Sequence, residues 1–298
     1  MANPVKALQT TAAEYKKMDA KDKKQFWVDS VLNNALYILM AIFIVYTAVK
    51  VPTFLTLGSL GNLITQVAAY LPMALGIAGC IVLTGTDLSA GRVVGLTAAV
   101  AGVMLQKTDY ANKMFANLPE VTIGWILVAL IAVLLIGAAV GLVNGFFVAK
   151  FSLHPFIVTL STQLMTYGVV LLFFNLNGNN GQPISVLSQE YKQFVSGELF
   201  RLGNTAIPWY VVYAIILTAL MWFIWNKTTF GKNMFAVGSN AEAAKVSGVN
   251  VFWTTVLVHT LAGAMYGYSG FIEGVRSGYV AASTGLNAEC DAIAACVI

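Results

Sequence analysis

Charge is scarce in this chain. Its 298 residues include 17 basic and 13 acidic side chains, so 10% are charged while 58% are hydrophobic, and the mean hydropathy is +0.75. A soluble domain carries about 25% charged residues, so a water-soluble enzyme would expose far too much apolar surface. Cysteine is equally sparse. Cys80, Cys290 and Cys296 lie in or beside apolar stretches without CxxC spacing, which supports neither a zinc site nor a disulfide framework; they are expected to be small core residues. Of the two histidines, His154 precedes Pro155 at a turn and His259 stands alone in an apolar run. Neither has a second ligand at metal spacing, so no metal site is expected, and His259 should bond to a neighbouring helix. Phosphate-loop, HExxH and GxSxG patterns are missing too. The chain is therefore not expected to be an enzyme, to hold a cofactor or to hydrolyse ATP by itself.

What is present is apolar and long. No charge occurs in 30–49, 51–86, 121–149, 151–189, 202–226 or 246–272, and a helix crosses the hydrocarbon core in about 20 apolar residues. The spacing predicts an all-α, polytopic membrane protein with spans near 31–49, 62–84, 92–106, 122–149, 156–176, 207–226 and 252–273, and an eighth apolar run from about 290. Residues 1–30 form a basic segment with Lys6, Lys16, Lys17, Lys21, Lys23 and Lys24, unlike a cleavable leader, and 31–298 form the transmembrane domain. Those six lysines with Arg92, Lys150, Lys227, Lys232 and Lys245 fall on one side, against Lys50, Lys107, Lys113, Lys192, Arg201 and Arg276 on the other. That bias predicts a cytoplasmic amino terminus. The chain stops at Ile298 inside an apolar run, and further carboxyl-terminal helices are expected to be missing.

A few polar residues interrupt the apolar background. Gly85-Thr86-Asp87-Leu88-Ser89-Ala90-Gly91-Arg92 divides two apolar runs. Gly85 and Gly91 permit a backbone break, Asp87 and Ser89 supply capping oxygens, and Arg92 stands five residues on as a possible counter-charge. The segment reads either as an interrupted helix with a satisfied cap and ion pair or as a polar break lining a solute pathway. Within 227–251, Ser239 or Asn240 should cap a short helix from Ala241 to about Ser247, ended by Gly248. Glu242 lies in its first turn and Lys245 near its last. Such a helix is too short to stand alone in water, so it should dock on another protein or lie on lipid headgroups. Glu273 and Arg276 are spaced to pair on one helix face. Asp291, beside Asn287 and Glu289, is a helix cap or a second polar element of a pathway. Gly137-Ala138-Ala139-Val140-Gly141 and Gly263-Ala264-Met265-Tyr266-Gly267 follow the small-xxx-small pattern of helix contact faces. The polar segment 175–203 is expected to hold the pore mouth or a partner's docking place.

The motifs GTDLSAGR (85–92), GKNMFAVGSNAEAAKVSGVNV (231–251) and ECDAIAACVI (289–298) resemble the membrane permease subunit of ribose/galactose-type ABC sugar importers, most closely its galactose/methylgalactoside branch, over residues 30–298. The resemblance implies a bacterial inner-membrane permease that works as a homodimer with two ATP-binding domains of an ABC ATPase and a periplasmic sugar-binding protein, in lipid and without nucleic acid. ATP would be bound by the ATPase partner. It implies that Ser239, Asn240, Ala241, Glu242, Ala243, Ala244 and Lys245 form the ATPase-coupling loop. Asp87, Ser89, Arg92 and Asp291 become candidates around the translocation pathway. The competing expectation is a self-sufficient secondary sugar or ion transporter, which normally shows inverted repeats and midplane carboxylates; no second copy of the first half is evident.

Overall fold

The computed structural model describes residues 19–297. It divides into two units, 1–59 and 60–298. In the first, α1 (Ala20–Asn33) and α2 (Ala35–Lys50) replace the single straight span predicted over 31–49. They meet at a 70° bend. The break falls at Asn34, whose side-chain amide donates to the Ser30 carbonyl at 2.8 Å and so competes with the helical ladder. No residue of α2 is buried, and Ile42 and Phe43 are each 61% exposed, as suits a lipid-facing surface.

The other long helices are α3 (Leu57–Val82), α4 (Ala90–Met104), α5 (Ile123–Phe151) and α6 (Pro155–Phe174). After a short 3-10 turn at Leu176–Gly178 come α7 (Gln189–Ser196) and an antiparallel hairpin of β1 (Glu198–Leu202) and β2 (Thr205–Pro208). Then follow α8 (Trp209–Lys227), α9 (Thr229–Ser239), α10 (Ala241–Val246), α11 (Val251–Ser277) and α12 (Ala288–Val297). The hairpin is a small exception to the all-α expectation, and α9 lies where only a loop was expected. Thr228 caps α9 by accepting from the Gly231 amide at 3.3 Å, while Gly231, Met234 and Val237 turn inward at three-residue spacing.

Four helices, α3, α5, α6 and α8, are long and apolar enough to cross a membrane, and the bent α1–α2 pair makes up to five. The other predicted spans fall short for different reasons. Helix α4 has 15 residues, and α12 has ten among those described. Helix α11 has 27 residues, but it is the interior helix, burying sixteen of them, including Thr254, Thr255, His259 and Ser269. A helix surrounded by protein is released from the demand for an apolar surface that lipid imposes.

Helix α11 packs most extensively on α5 and then on α4. The small-residue faces foreseen on α5 and α11 meet each other. A methyl group added at Gly137 would collide with the Gly263 carbonyl, and one at Gly141 with the His259 carbonyl. Backbone-to-backbone contact of this kind is the packing such stripes permit in membranes.

Chain reversals give the second unit two distinct ends. One carries 83–89, 152–154 and 228–250; there Gly85 abuts the Pro155 ring and Gly238 abuts the Val82 carbonyl. The opposite end carries 105–122, 175–208 and 278–280, tied by bridges between Gln106 and Leu187 and between Ile184 and Val280, and from there 281–287 runs back to Gly91 and Gly95 near the start of α4.

Candidate functional site

The break between α3 and α4 is made by Thr84, with φ +59°, rather than by the glycines expected to make it. Gly85 and Gly91 serve close approach instead: a Cβ at Gly91 would strike the Glu289 carboxylate and the Gly285 carbonyl. Thr159 on α6 brackets the break, accepting from the Leu88 amide at 3.1 Å and donating to the Thr86 carbonyl at 3.3 Å.

Asp87 and Ser89 are fully buried at the centre of a polar network. One Asp87 oxygen accepts from the Ser89 amide at 2.9 Å and from the Ser89 hydroxyl at 2.6 Å. The other accepts from the Tyr266 hydroxyl of α11 at 3.2 Å. Asn144 of α5 donates to Ser89 Oγ at 3.0 Å and accepts from Thr162 of α6 at 2.6 Å. The break is thereby tied to three helices, with its carboxylate satisfied inside protein. Ser89 occupies the N-cap position of α4 but makes no side-chain cap bond, because its hydroxyl is committed to Asp87.

The expected Asp87–Arg92 ion pair does not form. Arg92 lies within α4, its guanidinium 4.1 Å from the centre of the Tyr167 ring, and it donates to the Ala282 carbonyl at 3.3 Å. Stacking on an aromatic face suits the planar, delocalised cation, while the neutral hydroxyls and amide near Asp87 already fill its acceptor sites.

Asp291 lies elsewhere, in the first turn of α12, so it is not the N-cap. It lines a cavity of about 270 Å³ walled by α3, α11, α12 and the turn before α12, together with Tyr70, Ser269, Glu273, Tyr279 and Thr284. Glu273 is paired as foreseen with Arg276 at 2.8 Å and accepts from Ser277 at 2.8 Å. The Ser269 hydroxyl is buried without a partner among the described residues. Two carboxylates, two tyrosines and several hydroxyls around one small cavity are chemistry for binding a polyhydroxylated solute. Of the four pathway candidates, then, Asp87 and Ser89 share one network, Arg92 stands apart, and Asp291 alone reaches this cavity. Reasoning from sequence missed Ser269, Tyr70 and Tyr279; the four-residue spacing of Ser269, Glu273 and Ser277 on one helix face was the available signal, but nothing in it pointed to α3.

At the other end of the unit, Asn240 caps α10 by accepting from the Ala243 amide at 2.9 Å, and Gly248 follows with φ +84°. The short helix expected over 241–247 is present. Ala244 is its buried residue; Ser239 closes α9, and Asn240, Ala241, Glu242, Ala243 and Lys245 stand between or around it on the exposed side. Val246 is 90% exposed.

Two smaller expectations change. Cys80 is buried, but Cys290 is exposed and Cys296 only half-buried, all as free thiols. His259 is buried and bonds to the Thr255 carbonyl of its own helix at 3.0 Å, not to a neighbour. Its Nε2 is buried without a partner among the described residues.

Comparison with known proteins places this geometry in context. The family described as "branched-chain amino acid transport system / permease component" matches residues 59–298. The galactose/methyl galactoside import permease of Haemophilus influenzae is 41% identical over 281 residues, covering 94% of this chain and 82% of that protein. The protein of the same description from Escherichia coli shows the same identity and coverage. The ribose import permease of Escherichia coli is 31% identical, covering 89% of this chain and 74% of the relative. No solved structure matches the chain.

Proposed function

The chain belongs to this family of transport-system permeases, and from that premise we propose that it is the membrane-spanning subunit of an ATP-driven importer for galactose, methylgalactoside or a related monosaccharide. It works as a homodimer in the bacterial inner membrane, amino terminus in the cytoplasm, with two ATP-binding domains beneath and a periplasmic sugar-binding protein above. ATP is bound by the ATPase, and the permease needs no cofactor of its own.

The observation that carries this reading is α10. It is anchored by Ala244 and presents Glu242, Lys245 and a nearly naked Val246 outward. A six-residue helix of this kind is held by what it docks against. Residues Ser239 to Lys245 are the surface on which ATPase closure would act, displacing α10 and α9 together. The strain passes to the break beneath, because Gly238 sits on the last turn of α3. The Asp87 network then holds α4, α5, α6 and α11 in register while the sugar passes by the cavity of Asp291 and Glu273. Carboxylates accept from sugar hydroxyls, and weak affinity suffices where a separate binding protein supplies selectivity.

The test is reconstitution with the ATPase and binding protein. Glu242→Arg should lower sugar-stimulated ATP hydrolysis and uptake by tenfold or more while membrane insertion stays intact. A silent Glu242→Arg, or uptake that persists without the ATPase, overturns the reading.

A further inference from the structure

One contact that docks α12 on the bundle is a carboxylate only half satisfied. Ala288 and Asp291 line the cavity shared with Glu273, whereas Glu289, between them, is buried and turns to α6. Its Oε1 accepts from the Gln163 side-chain amide at 2.9 Å. Its Oε2 has no partner among the described residues and lies, with the Gly285 carbonyl, against Gly91. A buried carboxylate is costly without a charged partner, and one stands close by. Arg92, also buried, follows Gly91 in the chain and is near enough for its charge to act on the Glu289 carboxyl. Yet among the described residues no ion pair joins the two. Helix α6 keeps them apart: Gln163 holds the anion, and Tyr167, four residues on and so on the same face, holds the cation by stacking at 4.1 Å. Two opposite charges are each tied to a neutral side chain of one helix, and the stronger, charge-assisted pairing stays unmade while that helix stays seated.

We infer that Glu289 is a positioning residue of the transport cycle: bonded to Gln163 it seats α12, and with it Asp291, in the arrangement described, and it exchanges Gln163 for Arg92 when α6 shifts against α4 as sugar passes. The inference rests on the importer reading and adds the contact that moves one wall of the cavity. Packed interfaces hold discrete arrangements rather than deforming continuously, and an anion with two partners in reach, one for each arrangement, makes a two-position contact. Gly91 leaves room for the exchange, because a side chain there would occupy the place of the carboxylate.

The experiment uses the complete assembly in vesicles, with ATP hydrolysis and sugar uptake followed as sugar-loaded binding protein is added. The two sides of the Gln163–Glu289 bond should respond in opposite directions. Gln163→Met keeps the size but loses the donor, so it weakens only the present arrangement and should raise ATP hydrolysis in the absence of binding protein about tenfold. Glu289→Gln still accepts from Gln163 but cannot pair with Arg92; it should lower maximal uptake about tenfold while the half-saturating concentration of binding protein stays unchanged. Arg92→Gln added to Glu289→Gln should bring little further loss, because both remove the same pair. Tyr167→Leu frees Arg92 from its other hold and should act as Gln163→Met does, which keeps the test open if gel filtration shows that Gln163→Met fails to assemble. If hydrolysis and uptake fall together in the Gln163 and Glu289 variants, in step with thermal midpoint, the contact is a plain anchor and the inference is overturned. Variants indistinguishable from a wild type that responds to the binding protein overturn the inference alone. If the wild type shows no response at all, the importer reading falls and this inference with it.

Discussion

Helices α5 and α11 are nearly equal in length, 29 and 27 residues, and lie against each other, yet they were shaped by opposite demands. Helix α5 is apolar on nearly every side, with Leu135 64% exposed; α11 is lined with glycine, serine, threonine, tyrosine and histidine and is mostly buried. Hydropathy therefore reports contact with lipid, not passage across the membrane. The difference also explains where chemistry collects. Tyr266, Ser269 and Glu273 all sit on the helix that protein surrounds, where their polar atoms find partners or a cavity instead of hydrocarbon.

The seam between the two helices is where the comparison breaks most severely. Gly141→Leu drives a side chain into the His259 backbone and should destabilise the folded protein by about 3 kcal/mol, read as a collapse in monodisperse yield and in thermal midpoint in detergent. Leu135→Ala on the lipid face of the same helix should cost about 0.5 kcal/mol. Equal effects from the two substitutions would show that α5 and α11 are not packed backbone to backbone.

Next in size is the Asp87 network. Asp87→Ala leaves the Ser89 amide and hydroxyl and the Tyr266 hydroxyl without their acceptor, and buried donors left unmet should cost about 2 to 3 kcal/mol. Tyr266→Phe removes only one donor and should cost about 1 kcal/mol. Uptake should fall in step with folded protein in both. Unchanged thermal midpoints with abolished uptake would move Asp87 from the scaffold to the sugar's path.

These residues show how far sequence alone reaches. The break at 85–91, the cap at Asn240 and the small-residue stripes are local signals, set by residues within a turn or two of each other. The identity of Asp87's partners is not local. Arg92 is five residues from Asp87 and looked like its counter-charge, yet Tyr266, 179 positions away, holds the carboxylate while Arg92 stacks on Tyr167. Likewise Asp291 could be singled out as an acid opening an apolar run, but the cavity it lines is assembled from α3, α11 and α12, and only folding brings Tyr70 and Ser269 to it.

Two ion pairs of identical spacing make a finer version of the same contrast. Arg276 reaches Glu273 at 2.8 Å with the side chains 28% and 20% exposed; Arg201 reaches Glu198 at 2.7 Å on the hairpin with 68% and 43% exposed. Arg276→Gln leaves a carboxylate unpaired beside the cavity and should cost about 1 kcal/mol, with a measurable rise in the sugar concentration needed for half-maximal uptake. An uptake curve that does not move would place the cavity off the sugar's route.

The hairpin pair should matter least, and its signature is pH rather than stability at neutrality. The Arg201 guanidinium, by hydrogen bond and charge, holds the Glu198 carboxyl below its ordinary value of 4.5. A carboxyl depressed in the folded state adds stability that is present above the unfolded value and is lost as pH falls through the lower folded one. Amide exchange in β1 and β2 should therefore quicken below about pH 4.5 more steeply in the wild type than in Arg201→Gln, where Glu198 titrates as it would in an open chain. Because both groups face water, the effect should shrink further as salt screens the pair. Parallel exchange profiles for the two proteins would mean that the pair adds nothing to the hairpin, whose hold would then rest on its ladder and on Ile207 packed into the core.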